Sequence, residues 1–214
     1  MIYSSSDIYI FENNFFTVSE SGFWKLTKGS EIKASSKIGN IYLDNPYFTL
    51  IPDELTSHIT LEEKKRFISN NEMDLNYLED KISKYQTRIF WGIERKIQIE
   101  IKKKFPAINL KHFCETMIMS SNFDFKLNYF LGENCIYIAS FNNQKLMLVN
   151  RYKIKSSEDS LYFILSVIKE SKLINEPFNI ECLGIEDKVL VSKLKDIFPN
   201  VQIEYDQHFN YKNL

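Results

Sequence analysis

Residues 125–154 read FKLNYFLGENCIYIASFNNQKLMLVNRYKI. Three apolar runs, 125–131, 135–141 and 145–154, are separated by Glu133-Asn134 and Asn142-Asn143, pairs suited to two-residue hairpin turns. The segment is therefore predicted to be a three-stranded meander. Beyond it, Ser156 and Asp159 mark a helix N-terminus, and Leu161, Ile164, Leu165 and Ile168 give that helix one apolar face. Glu176-Pro177 ends the connection, and residues 178–183 read as a strand reaching Gly184. Leu190, Leu194 and Ile197 mark a second helix, Pro199-Asn200 stops it, and residues 201–205 form a last strand. The order is βββαβαβ. Strands joined through helices need crossover connections, so parallel pairing is predicted beside the antiparallel meander.

Towards the N-terminus the same opening recurs. Residues 7–12 and 15–19 are short β-type runs separated by Asn13-Asn14, and 22–27 makes a third strand. Residues 30–39 are polar and read as a loop, where a complete unit would place a crossover helix. Asn45-Pro46 breaks the chain, and 47–51 is a strand stopped by Pro52. Thr60-Leu61-Glu62-Glu63 is a capping box that starts a helix over 61–69. Residues 70–84 are polar and give no clear period, and 88–92 is a short strand. A helix is predicted from Ile93, because Ile93, Ile97 and Ile101 recur at i, i+4 and i+8; Lys102, Lys103 and Lys104 close it before Pro106. Ile108, Leu110 and His112 alternate as on a strand, and 114–121 is a short helix. The fold class expected is α+β or α/β, ribonuclease H-like of the actin-like ATPase type, with two βββαβαβ-type halves, the first degenerate. The division expected is a degenerate lobe over 1–122, a ribonuclease H-like lobe over 123–206, and a tail over 207–214.

Composition narrows the function. The chain has 214 residues, 44% hydrophobic and 26% charged, with a formal net charge of −1, so nothing global draws it to nucleic acid or to an anionic membrane. It has no apolar run of 18 residues, and MIYSSSDIYIF lacks the basic start and apolar core of a signal peptide. Cys114, Cys135 and Cys182 are widely spaced within apolar runs, as buried thiols of a reducing compartment are, which points to the cytoplasm. Glycine numbers only six, although phosphate-binding loops depend on it for close backbone approach.

YFTLIPDEL at residues 47–55 resembles a T-L-V-P-x-x-L segment that follows a strand in a family of uncharacterised proteins from Bacteroidetes. Phe105-Pro106, the strand after it and the short helix 114–121 share that family's layout. Between 141 and 162, Asn150, Tyr152, Ser157, Glu158, Asp159 and Tyr162 match its pattern. The resemblance runs from about residue 7 to 205. It implies kinship with the actin-like ATPase superfamily, nearest to cytoplasmic pilus-assembly proteins of the PilM type, with an eroded first half in which 30–40 replaces a helix.

Nucleotide sites of that superfamily use turns of the form D-x-G-x-[ST], in which glycine admits phosphate and the acid holds Mg²⁺. The equivalent turns here are Asn13-Asn14 and Glu133-Asn134, no D-x-G occurs in the chain, and Gly132-Glu133-Asn134 reads as a hairpin tip. Two-metal nuclease chemistry needs an acid inside the first strand of the unit, whereas Asp7 and Asp124 sit at strand edges. Glu158 and Asp159 suit the positive end of their helix. His112 and Cys114 read as a hydrogen-bonded histidine beside a buried thiol, with His58 and His208 far away in sequence. Lys102, Lys103 and Lys104 offset a helix dipole; an RNA site would add stacking aromatics, and of Tyr85, Phe90 and Trp91 the last two lie in an apolar run. Residues 49–55 are either a peptide-docking edge or a strand ended by a proline turn.

No catalytic, cofactor-binding or metal residue is therefore expected, and no cofactor. The expected function is a non-catalytic cytoplasmic protein-interaction or scaffold module, not an enzyme. Its partner would be another protein, without nucleic acid or membrane insertion. An open meander edge also allows a homodimer. The alternative is a nucleotide-binding actin-like ATPase of the pilus-assembly (PilM-like) type, and a nucleic-acid-binding module is third.

Overall fold

The computed structural model describes residues 7–18, 24–27, 39–68, 73–120, 127–142, 145–175 and 177–206. The expected loop over 30–39 falls, save for its last residue, outside the described residues, and with it the question of the missing crossover helix. The chain divides into two units, one of Tyr3–Thr17 with Thr27–Glu115, the other of Met1–Ile2, Val18–Leu26 and Thr116–Leu214.

The later unit follows the βββαβαβ order. Strands β9 (Leu127–Leu131), β10 (Cys135–Asn142) and β11 (Lys145–Lys153) form the meander, followed by helix α4 (Ser157–Glu170), strand β12 (Ile180–Gly184), helix α5 (Lys188–Ile197) and strand β13 (Ile203–Tyr205). The sheet order is β11-β10-β9-β12-β13. Its meander is antiparallel, and β12 runs parallel to both β9 and β13. One face of this sheet is apolar by alternation: Leu127, Tyr129, Ile136, Ile138, Ile180 and Cys182 meet Ile164, Val167 and Ile168 of α4 and Leu190 and Leu194 of α5. Leu161 and Leu165, expected on the buried face of α4, are only half-buried, because the face is rotated towards Ser160 and Val167.

The earlier half repeats this layout. Strands β1 (Ile8–Phe11), β2 (Asn14–Val18), β3 (Trp24–Thr27), β4 (Asn40–Leu43) and β8 (Asn109–His112) form a sheet in the order β3-β2-β1-β4-β8. Strand β1 is antiparallel to β2 and parallel to β4, and β4 is parallel to β8. The β1–β2 turn places Glu12 and Asn13 at positive φ, one residue earlier than the expected Asn13-Asn14, because Asn14 of β2 already pairs with Phe11. Between β4 and β8 lies an insert: β5 (Phe48–Pro52), helix α1 (Leu61–Ile68), β6 (Leu75–Ile82), β7 (Thr87–Glu94) and helix α2 (Arg95–Lys104). The three strands form an antiparallel sheet ordered β5-β7-β6. Helix α3 (Cys114–Ser120) follows β8.

Inside the insert one segment without a clear reading resolves and one expectation fails. Residues 70–84 contain a full strand, β6, whose apolar alternation is broken because the buried position between Leu78 and Ile82 is held by Asp80. Ile93 belongs to β7, not to a helix: it is buried opposite Asn76, and α2 starts at Arg95. Its helical spacing with Ile97 is accidental, and Ile97 is exposed. Among the described residues no helix is long and apolar enough to cross a membrane.

Candidate functional site

In an open sheet with parallel strands, ligands bind beyond the carboxyl ends of neighbouring strands whose connections diverge. Strands β9 and β12 are such a pair, in register from Leu127↔Ile180 to Leu131↔Gly184. Strand β9 turns back through Gly132-Glu133-Asn134 into β10, whereas β12 continues through Ile185 to Asp187 into α5. A cavity of about 590 Å³ opens there, lined by Leu131 to Glu133, Ile154 to Ser157, Ser160 and Ile185 to Val189. Its floor is fixed by a close backbone approach. Gly184 has φ +84°, and a Cβ added there would lie 2.3 Å from the Leu131 carbonyl oxygen. Directly after it, the Ile185 N–H donates to that same oxygen at 2.8 Å.

Two helix N-termini face this edge, and both are closed by the chain's own side chains. The Asp159 N–H donates to Ser156 Oγ at 3.3 Å, while Lys155 N–H donates to Asp159 Oδ2 at 2.8 Å. Asp187 Oδ1 accepts from the N–H groups of Val189 and Leu190 at 3.0 and 2.9 Å. Its Oδ2 accepts from the Ser157 hydroxyl, and its own N–H donates to the Tyr205 hydroxyl. Asp187 thus ties α4 to α5. The lining carries Glu133, Glu186 and Asp187 against Lys155 and Lys188, an excess of one negative charge. Such a pocket has donors and acceptors for a polar ligand, and a field that opposes a polyphosphate.

The opposite face of the same sheet holds a buried polar pair. Asn128 is fully buried with neither amide atom bonded, and Glu181, its partner across the β9–β12 ladder, has Oε2 buried without a partner. Burial, with Asp206 and Glu204 adding to it, pushes the Glu181 carboxyl up from 4.5 to about 7. Between those values the folded chain binds more protons than the unfolded chain, so this group costs stability as pH rises from 4.5 to 7, with no further loss above. Glu181→Gln is accordingly expected to stabilise the protein at pH 8 by about 1–3 kcal/mol, and to lose that gain near pH 4. Urea denaturation at the two pH values checks this; an equal effect at both would refute it.

The other sequence candidates are placed as follows. Asp7 lies at the amino end of β1, away from the carboxyl edge, and accepts from Asn40 N and Nδ2. Asp124 and His208 lie outside the described residues. His112 is fully buried, with Nδ1 3.0 Å from Cys114 Sγ and Nε2 2.8 Å from the Asn45 carbonyl oxygen. Burial pushes the Cys114 thiol well up, against any role as a nucleophile. His58 is exposed. Phe90 and Trp91 are buried, which removes them as stacking platforms. Lys102, Lys103 and Lys104 occupy the last turn of α2, and β5 with the turn Asp53–Leu55 is a sheet edge. No group of three or more His, Cys, Asp or Glu side chains suited to a metal occurs among the described residues. Sequence reasoning missed Asp187, although an aspartate just before an apolar helical run is a recognisable N-cap signal.

The family model described as "Protein of unknown function (DUF3822)" matches residues 36–201. None of the curated proteins matches the chain. Among solved structures, a protein from Bacteroides thetaiotaomicron with actin-like ATPase fold and unknown function is 18% identical, with a TM-score of 0.75 over 95% of this chain and 91% of that one. A PilM–PilN type IV pilus biogenesis complex matches at 11% identity and a TM-score of 0.56, covering 93% of this chain and 87% of the other. The cytoplasmic domain of EpsL, an inner-membrane component of the Vibrio cholerae type II secretion system, matches at 9% and 0.50, covering 96% and 86%. The fold is that of the actin-like ATPases.

Proposed function

The chain belongs to the DUF3822 family of proteins of unknown function, and on that footing we propose that it is a non-catalytic protein-interaction module built on the actin-like fold. The observation that carries this reading is the pocket at the carboxyl edge of β9 and β12. Its helix N-termini are capped by Ser156 and Asp187, and Glu133 occupies the hairpin turn where a phosphate would approach. A phosphate entering there displaces Asp187 from two backbone N–H groups and faces three carboxylates. A chain of this fold also occurs in a PilM–PilN complex, so the architecture is compatible with holding a protein partner. The three cysteines are buried and none is in a disulfide, which fits a cytoplasmic protein.

The competing reading is a nucleotide-binding protein of the pilus-assembly kind. It is favoured by the position of the cavity, at the carboxyl ends of parallel strands and beside two helix N-termini. Thermal unfolding in Mg²⁺–ATP, against Mg²⁺ alone and ATP alone, separates the two. No saturable shift is expected at millimolar ATP. A ligand at about 100 times its dissociation constant stabilises by about 2.7 kcal/mol, and a chain of this size would then melt roughly 5–10 °C higher. A saturable rise of that size overturns the interaction-module reading.

A further inference from the structure

We propose that the outer edge of β11 is a docking site for an extended acidic peptide segment of a partner protein, which adds to the sheet as a further strand. This rests on the interaction-module reading and names the partner's chemistry. Strand β11 ends the sheet order β11-β10-β9-β12-β13, so its outward backbone groups have no strand beside them among the described residues. Edges of this kind accept an added strand through main-chain hydrogen bonds, while side-chain pockets and charge choose the sequence.

Three features make this edge a site with a preference. Its nine residues, KLMLVNRYK, carry Lys145, Arg151 and Lys153 and no acid. Lys145 and Lys153 are exposed, and Arg151 lies with its guanidinium 5.7 Å from the centre of the Tyr137 ring, held beside the edge. The Arg151 N–H donates at 2.8 Å to the side chain of Asn150, which occupies that donor while no strand is bound. Beside the strand runs an apolar shelf. Tyr152 stacks on Phe163 of α4 at 4.2 Å, and Tyr162 meets Phe163 edge-on at 5.3 Å and is 66% exposed. The register slips by one residue, from Ser140↔Leu148 to Phe141↔Leu146, so Met147 is unopposed and stands 52% exposed. Alternate residues of an added strand fall on this shelf, where the register slip also places Lys145, and the intervening acids fall on the opposite face beside Lys153.

Charge also selects against a second copy. Antiparallel self-pairing would lay this basic strand against its own copy, with no acid in the strand to compensate the like charge. Of the acids of α4, Glu158 is paired with Lys193 and Asp159 accepts from the Lys155 N–H, while Glu170 lies close enough to act on Tyr152 of β11.

A displayed library of random 12-residue peptides, selected on the full chain, tests the proposal. Enriched sequences are expected to alternate acidic with apolar residues. Their binding should fall about tenfold or more in the exposed double variant K145E/K153E, and their presence should slow amide exchange within 145–153. Enrichment without acidic bias, equal binding to the double variant, or no enrichment over background overturns it. Protection confined to another segment also overturns this site while leaving the interaction-module reading intact, whereas a saturable Mg²⁺–ATP shift strikes that reading itself. A concentration-dependent dimer by light scattering that K145E/K153E abolishes would identify a second copy as the occupant and refute the peptide.

Discussion

Gly184→Ala is expected to destabilise the protein by about 4 kcal/mol, the sum of a left-handed backbone penalty, a lost hydrogen bond and a forced strand separation. Gly184 sits at φ +84°, where a Cβ is disfavoured whatever the space around it. Here the space is also closed: the added carbon would meet the Leu131 carbonyl oxygen at 2.3 Å, carbonyl carbon at 3.1 Å and nitrogen at 3.0 Å. All three are backbone, so no rotamer change relieves the contact. Strands β9 and β12 must part at their carboxyl ends, which strains the bond from Ile185 N–H to Leu131 O. At 2–4 °C per kcal/mol for a chain of this length, the melting temperature should fall by roughly 8–16 °C. The cavity floor goes with it, so the variant reports on the pocket's frame independently of any ligand. A fall below about 2 °C would mean that the ladder yields at little cost, against the close packing proposed for this edge.

How far the sequence reveals this molecule depends on whether its signals are local. The meander over 127–153 is legible because Glu133-Asn134 and Asn142-Asn143 punctuate apolar runs; strands flank the first pair, while Asn142 of the second is the last residue of β10. The helix at Ser156 is legible for the same reason, a cap followed by a periodic face. Strand β6 is not, because Asp80 takes a buried position whose carboxylate accepts the His112 backbone N–H from β8, a partner far off in sequence. The boundary between β7 and α2 is hidden because Glu94-Arg95 joins strand to helix without a glycine, proline or side-chain cap. The pocket is half legible. Its caps are local, but the collision that requires glycine at 184 involves β9, and only the folded ladder brings Leu131 there. The open edge of β11 is likewise a property of strand order, although its run of Lys, Arg and Lys can be read from the sequence.

The second large effect is expected at His112, the histidine that sequence reasoning placed beside a buried thiol. The Cys114 N–H donates to Nδ1 at 3.2 Å, so that nitrogen is an acceptor and the ring proton sits on Nε2, which donates to the Asn45 carbonyl. The ring also packs on Phe48 at 4.3 Å and edge-on to Trp91 at 5.5 Å. His112→Ala therefore removes a buried ring and two hydrogen bonds, at a cost of about 4 kcal/mol, or roughly 8–16 °C in melting temperature. Two companions divide that cost. His112→Phe refills most of the volume and withdraws the imidazole hydrogen bonds from the Cys114 N–H and the Asn45 carbonyl, so it should still cost about 2 kcal/mol. His112→Asn keeps an oxygen near the Cys114 N–H but leaves part of the space empty. If the phenylalanine variant melts with the native chain, the ring serves only to fill space, and the hydrogen bonds that link β8 to the turn at Asn45 contribute nothing. If it falls between native and alanine, the polar contacts hold the strand in place.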